Sequence, residues 1–281
     1  MIRASLVLIL AAACGDGGGS SAGVVDGPAG ATDGPHAGDG AAAAFALPPL
    51  DAKLDYELGG AYPPPTGVAI VSRDRTAAIA AGLYNICYVN GFQIQPDETA
   101  FWTGQHPELI LRDAGGNPVV DTAWNEMLID VSTPAKRTAV AAIVDGWIAG
   151  CAQAGFAGVE IDNLDSYARS TGLLTPDDAV ATVAMFAASA HAHGLAIAQK
   201  NATELVPRKG ELGTDFVVAE ECNRYMECDT YRAGYGDHVL AIEYRRQDFT
   251  AGCAAYPQLS IVLRDVDLVP AGDPAYVFDD C

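Results

Sequence analysis

From residue 66 onward, short and nearly unbroken apolar runs alternate with longer stretches whose apolar residues recur every three or four positions. The runs predict strands buried on both faces, and the longer stretches predict helices. Strands are predicted at 67–72, 85–90, 127–131, 158–163, 195–201, 216–221, 239–244 and 259–265. Two helices announce their own ends. One begins at Pro134 behind Ser132 and Thr133, and carries Val140, Ile143, Val144, Trp147 and Cys151 on one face; Ser or Thr caps a helix and proline suits its first turn. The other begins at Pro176 behind Thr175, has Asp177 and Asp178 at the positive end of its dipole, and stops at Gly194.

Strand–helix alternation predicts a parallel sheet. Eight such units predict an α/β fold of the (β/α)8 TIM-barrel class. A doubly wound sheet is the rival, but no glycine-rich phosphate turn follows the first predicted strand. The strand ends carry the chemistry: Arg73-Asp74, Asn90, Asp130, Asp162-Asn163, Lys200-Asn201, Glu220-Glu221, Glu243-Tyr244 and Arg264-Asp265. Barrel active sites sit at that carboxyl-terminal face. Successive strand residues point to opposite faces, so Glu160 pairs with Asp162, Val218 with Glu220, and Ala241 with Glu243. A ring of inward acids at the mouth is the expectation. The run from Gly158 to Asp165 is the densest case, with Glu160, Asp162 and Asp165 following an apolar start; burying such groups without partners costs several kcal/mol.

The amino terminus is of another kind. Residues 1–13 hold an early arginine and a short apolar run, which predicts a lipoprotein-type signal peptide with Cys14 as the lipidated residue. That run is too short to span a bilayer. Residues 14–46 are rich in Gly, Ala and Asp and predict a flexible tether. The barrel domain is then expected over 47–281, in a protein held at the bacterial cell envelope or exported to the surface. Of the seven cysteines, six remain when Cys14 is set aside, an even number that favours disulfides in an exported chain. Only Cys222 and Cys228 are near enough in sequence to be paired locally.

The formal net charge of −20 argues against nucleic acid as a partner and would concentrate a cationic ligand. Membrane association is expected only through the lipid on Cys14, and the protein is expected to be monomeric.

The blocks Tyr56-Glu57-Leu58-Gly59-Gly60, Cys87-Tyr88, Ile129-Asp130-Val131, 155–167, Ala192-His193-Gly194-Leu195 with Lys200-Asn201, Glu220-Glu221-Cys222 with Tyr225-Met226-Glu227-Cys228, and Ile242-Glu243-Tyr244 occur in a specific order and spacing. In these the chain resembles glycoside hydrolase family 114, the endo-α-1,4-polygalactosaminidases. The resemblance implies a (β/α)8 barrel that cleaves galactosamine-containing polysaccharide internally, and places the family's catalytic carboxylates at Asp162 and Glu220. The chain departs from the family at Ala219, where asparagine is usual, and at Val71-Ser72-Arg73-Asp74, which lacks the usual acidic strand end.

Glycoside hydrolysis needs two carboxyl groups in different protonation states. Asp162 is assigned as nucleophile or base and Glu220 as acid, with Glu243 as a supporting partner or the acid in its place. Glu160 is expected to be buried against Lys200 or Asn201. Asp165 would bind a sugar amine or cap its loop, and Asn163, Asp130, Tyr88 and Tyr244 would complete the mouth as substrate-binding or supporting groups. Lys200 would hold the acids in place and tune them. No cofactor or metal is implied. The expected partner is a cationic or partly deacetylated amino-sugar polysaccharide. The alternative is a non-catalytic carbohydrate-binding lipoprotein on a degenerate barrel.

Overall fold

A computed structural model describes residues 45–281; the predicted signal peptide, Cys14 and nearly all of the tether lie outside the described residues. In chain order the strands are β1 (Leu54–Glu57), β2 (Ile70–Asp74), β3 (Tyr84–Asn90), β4 (Gln93–Ile94), β5 (Val120–Asp121), β6 (Glu126–Leu128), β7 (Gly158–Asp162), β8 (Ala196–Lys200), β9 (Phe216–Glu220), β10 (Val239–Glu243), β11 (Ser260–Arg264) and β12 (Phe278–Asp280). The helices are α1 (Thr99–Gln105), α2 (Pro134–Ala154), α3 (Pro176–Ala192), α4 (Lys209–Leu212), α5 (Cys228–Tyr235) and α6 (Arg246–Ala255).

The large sheet runs β1-β2-β3-β7-β8-β9-β10-β11-β12. Its first eight members are parallel, and β12 lies antiparallel on β11. Side chains join the two ends of the parallel array: Ala52 N–H donates to Ser260 Oγ at 3.2 Å, and Arg264 donates to Asp55 at 2.7 Å and to the Tyr56 carbonyl. The result is the expected eight-stranded parallel barrel, nearly closed, with one substitution among its members.

The substitution corrects the strand reading. The run at 127–131 is not a barrel strand: β6 sits in a separate antiparallel sheet of order β4-β6-β5. Its apolar run arises because Leu128, Ile129 and Val131 are buried with α2 residues Val140, Val144 and Ile148. The missing barrel strand is β1. Leu54 and Tyr56 face the barrel interior, while Asp55 and Glu57 alternate with them and are buried against Arg264 and Arg73. Two acids in four residues hid the strand from a search for apolar runs.

Alternation along each strand sorts the rest. Leu54, Ile70, Ile86, Ala198, Phe216, Val218, Ile242 and Val262 fill the barrel. The opposite faces of β3, β7 and β8 pack on α2 and α3 through Val89, Val159, Ile161 and Ile197. Both predicted caps form: Thr133 Oγ1 accepts from Lys136 N–H at 3.3 Å, and Thr175 makes a reciprocal capping box with Asp178. After β3 the chain passes so close to the wall that a Cβ on Gly91 would lie 2.7 Å from Ile161 Cγ2; only glycine carries the chain to the small sheet above β3 and β7.

Three disulfides join Cys87–Cys151, Cys222–Cys228 and Cys253–Cys281. The first ties β3 to α2 across 64 residues, worth about 4 kcal/mol as loop-closure entropy, while the six-residue Cys222–Cys228 loop is worth about 2 kcal/mol.

Candidate active site

Three neighbouring strands deliver the site. Glu160 and Asp162 stand on the inner face of β7, Lys200 on β8 and Glu220 on β9. The first residue after each of these strands has a left-handed backbone: Asn163 (φ 62°), Asn201 (φ 49°) and Glu221 (φ 56°). Such conformations are costly for residues with a Cβ and gather at functional sites. Here they turn the chain back over the mouth. Asn163 N–H then reaches Asp162 Oδ1 at 2.9 Å, and Glu220 N–H reaches Asn201 Oδ1 at 2.8 Å.

Lys200 is the hub. Its Nζ lies 3.1 Å from Glu160, 3.3 Å from Asp162 and 3.4 Å from Glu220, and it donates to Tyr56 OH at 2.9 Å. Because Asp162 and Glu220 reach one nitrogen, the two contacting oxygens lie within roughly 7 Å of each other, the range in which paired carboxyls act on one glycosidic bond. The side chains of Asp162 and Glu220 are 20% and 29% exposed, whereas those of Lys200 and Glu160 are 2% and 0%. The pair therefore faces solvent above a buried charge network.

The surroundings set the protonation states. Burial works to lower the Lys200 pKa, but Asp162, Glu220, Tyr56 and Glu160 outweigh it and hold the ammonium well above its usual range; Lys200 is a fixed cation, unsuited to attack a carbonyl. Burial works to raise Asp162, yet the Lys200 charge and the hydrogen bonds from Tyr88, Asn163 N–H and Lys200 prevail, so its carboxyl stays below its usual range. Glu160 goes the other way: burial and the Asp162 charge lift it despite Lys200, Tyr56 and Ser72. Two carboxyls on one strand are thus pushed apart, which is the pattern expected where they have different tasks.

Around this core, Tyr88 donates to Asp162 Oδ2 at 2.7 Å, Tyr244 donates to Glu220 Oε1, and Asn201 Nδ2 donates to Glu220 Oε2 at 3.2 Å. Beneath it, Tyr56 donates to Glu160 Oε1 at 2.5 Å and Ser72 to Oε2 at 2.8 Å. Tyr56 and Ser72 were missed as site residues. The inward parity of Leu54 and Tyr56 would have revealed the first; a lone serine in a strand carried no signal.

Two predicted site residues, Glu243 and Asp130, are placed elsewhere, and Asp165 takes the loop-capping role. Glu243 shares a face with Val239 and Ala241 as expected, but that face packs on the helices, since Leu240 and Ile242 point inward. It is fully buried, accepts from Asn223 N–H at 2.8 Å, and burial pushes it up to about 7. The β10 end contributes Tyr244 to the mouth instead. Asp130 binds Ser132 and Lys136 at the start of α2. Asp165 is held by both terminal nitrogens of Arg169, at 2.9 and 2.8 Å, and Asn163 Oδ1 accepts from the same guanidinium at 3.1 Å.

Comparison with known proteins agrees with this fold. The model of glycoside hydrolase family GH114 matches residues 35–281. Among solved structures, Ega3 of Aspergillus fumigatus, in complex with galactosamine, is 23% identical and superposes with a TM-score of 0.67 over 85% of this chain and 98% of its own. The glycoside hydrolase domain of PelA from Pseudomonas aeruginosa is 17% identical, with a TM-score of 0.54 over 80% of this chain and 97% of its own. These likenesses bear on the fold. No curated protein sequence matches the chain. The family match takes in every strand of the barrel and both carboxylates at its mouth, and on it the chain belongs to glycoside hydrolase family GH114 and is a glycoside hydrolase.

Proposed function

We propose that this enzyme cleaves galactosamine-containing polysaccharide internally at α-1,4 linkages, with Asp162 and Glu220 as its catalytic pair. The observation that carries the reading is the placement of these two part-exposed carboxyls on one buried ammonium at the barrel mouth. Glu220, as the acid, gives a proton to the glycosidic oxygen as the bond from that oxygen to the anomeric carbon breaks. The oxygen leaves as a hydroxyl of the departing sugar. Asp162, kept ionised by Lys200, serves the opposite side of the anomeric carbon. It either forms a glycosyl ester that water then hydrolyses or takes a proton from the attacking water. Lys200 holds both groups in place.

An amino-sugar substrate is supported by charge. A net charge of −20 and an acid-rich mouth favour approach of a polymer bearing ammonium groups, and the similar Ega3 structure holds galactosamine. Export with lipid attachment at Cys14, followed by a tether, would place the barrel where extracellular polysaccharide is found. Purified protein incubated with de-N-acetylated galactosaminan should release reducing ends, and Asp162→Asn and Glu220→Gln should not. Absence of release by the wild type would overturn the reaction proposed here.

A further inference from the structure

The β5–β6 hairpin reaches the mouth, yet none of its residues belongs to the catalytic network. Asp121 and Glu126 stand opposite each other as the pair that flanks its turn. Asp121 is buried and latched: Arg169 Nε lies 3.0 Å from it, Gln93 Nε2 donates to it at 3.2 Å, and Ala123 N–H donates at 2.9 Å. Since Arg169 also grips Asn163 and Asp165, the hairpin is fastened to the loop that follows Asp162. Glu126 differs from its neighbour. One of its oxygens accepts from Asn90 Nδ2 at 3.2 Å, and Asn90 stands opposite Asp162 in the β3–β7 register. The other oxygen has no hydrogen-bond partner among the described residues, and Glu126 forms no ion pair there.

The nearby cations are engaged: Arg169 with Asp121 and Asp165, Lys200 with Glu160, Asp162 and Glu220. A half-buried carboxyl beside Asp162, with no ion pair among the described residues, suits a positive group. At the hairpin tip, Trp124 is 66% exposed, between Asp121, which fixes the turn, and the left-handed Asn125 (φ 58°). A large aromatic held out on a latched turn is suited to the apolar face of a sugar ring.

We propose that the hairpin forms a subsite for one amino sugar of the polymer next to the cleavage point, with Glu126 taking its ammonium and Trp124 stacking on a ring further along. The inference rests on the amino-sugar reading above and deepens it, because it assigns the discrimination between free and acetylated amines to one side chain. Glu126 is pushed up to about 7 by burial, with Asp162 and Asp121 adding to the rise and Asn90 and Arg169 opposing it. An arriving ammonium would reverse that rise, so ligand binding should expel a proton near neutral pH.

The test is calorimetric titration of the full chain carrying Asp162→Asn with galactosamine and N-acetylgalactosamine tetramers. Adding Glu126→Gln should weaken the amine tetramer about tenfold, the scale of one charged hydrogen bond, and leave the acetylated tetramer nearly unaffected. Trp124→Ala should weaken both about fivefold. Glutamine keeps the acceptor for Asn90, and Glu126→Asp, which withdraws the charge by one methylene, should give an intermediate loss. Equal effects of Glu126→Gln on both tetramers, or none, overturn the subsite. If wild type releases no reducing ends but Glu126→Gln still costs amine affinity, the proposed reaction falls and the subsite stands. If wild type cleaves and Glu126→Gln keeps full discrimination, the reverse holds.

Discussion

The barrel buries acids and bases in two places, and they are built differently. Along β1, Asp55 pairs with Arg264 of β11 across the seam and Glu57 with Arg73 of the adjoining β2, one cation to each acid, and all four side chains are at most 6% exposed. Asp55 also accepts from Tyr62 OH at 2.7 Å and Tyr56 N–H at 2.8 Å. At the mouth, three carboxyls share Lys200, and two of them are part-exposed. One-to-one pairs sealed from water hold β1 in place, and Asp55–Arg264 joins the two ends of a sheet that no strand ladder closes. An excess of carboxyls open to water leaves proton-transfer capacity and negative charge for a substrate. Residue type does not separate the two sites; stoichiometry and exposure do.

The comparison breaks most sharply at the catalytic pair. Glu220→Gln should cost about 10²–10⁴ in kcat, the usual share of a general acid, and Asp162→Asn at least as much, while denaturant midpoints fall less than at the seam because both groups touch solvent and Lys200 keeps Glu160 beside it. Reducing-end assays and urea melts on the same samples check both halves. At the seam the effects should exchange: Arg264→Met strands a buried carboxylate and should cost about 3–5 kcal/mol of stability, read as a lower urea midpoint, with the residual folded protein still active.

Lys200→Met sharpens the contrast, since it removes the cation that the three mouth carboxyls share. Asp162 lies below its usual range chiefly because Lys200 and hydrogen bonds overcome burial. Its ionised form therefore contributes stability above the unfolded pKa, lost as pH falls through the folded one. Without Lys200 its pKa should rise, and the acid limb of the kcat/KM profile should move to higher pH. An unmoved limb would show that Lys200 does not set the ionisation of Asp162.

The smallest effect is expected at Glu243, a buried acid with neither a catalytic task nor a cation. Its rise from 4.5 to about 7 means the folded state holds a proton the unfolded chain has lost. Stability should thus fall as pH climbs from about 4.5 to about 7. Glu243→Gln should flatten that part of the Tm–pH curve, which thermal melts between pH 4 and 8 would show.

Much of this was legible beforehand. Periodicity located seven of the eight barrel strands and the two capped helices, because apolar alternation and caps are local properties. Asp162, Lys200 and Glu220 stood out because charged residues at the ends of apolar strands lack a packing explanation. The reading failed where identity depended on remote partners. β1 looked too acidic to be a buried strand until Arg264, 209 residues from Asp55, was brought beside it. The 127–131 run looked like a barrel strand because burial under α2 demands the same apolar residues.

The chain by itself determined the strand–helix rhythm, the parity that puts Glu160 with Asp162, and the set of acids available for chemistry, since each depends on neighbours a few residues apart. Only the tertiary structure decided which face of β10 points inward, which cation each acid receives, and that Glu126 comes to lie beside Asp162 without one. Those outcomes depend on strand order and barrel closure. Closure joins residues separated by most of the chain, and no local pattern encodes the distances it sets.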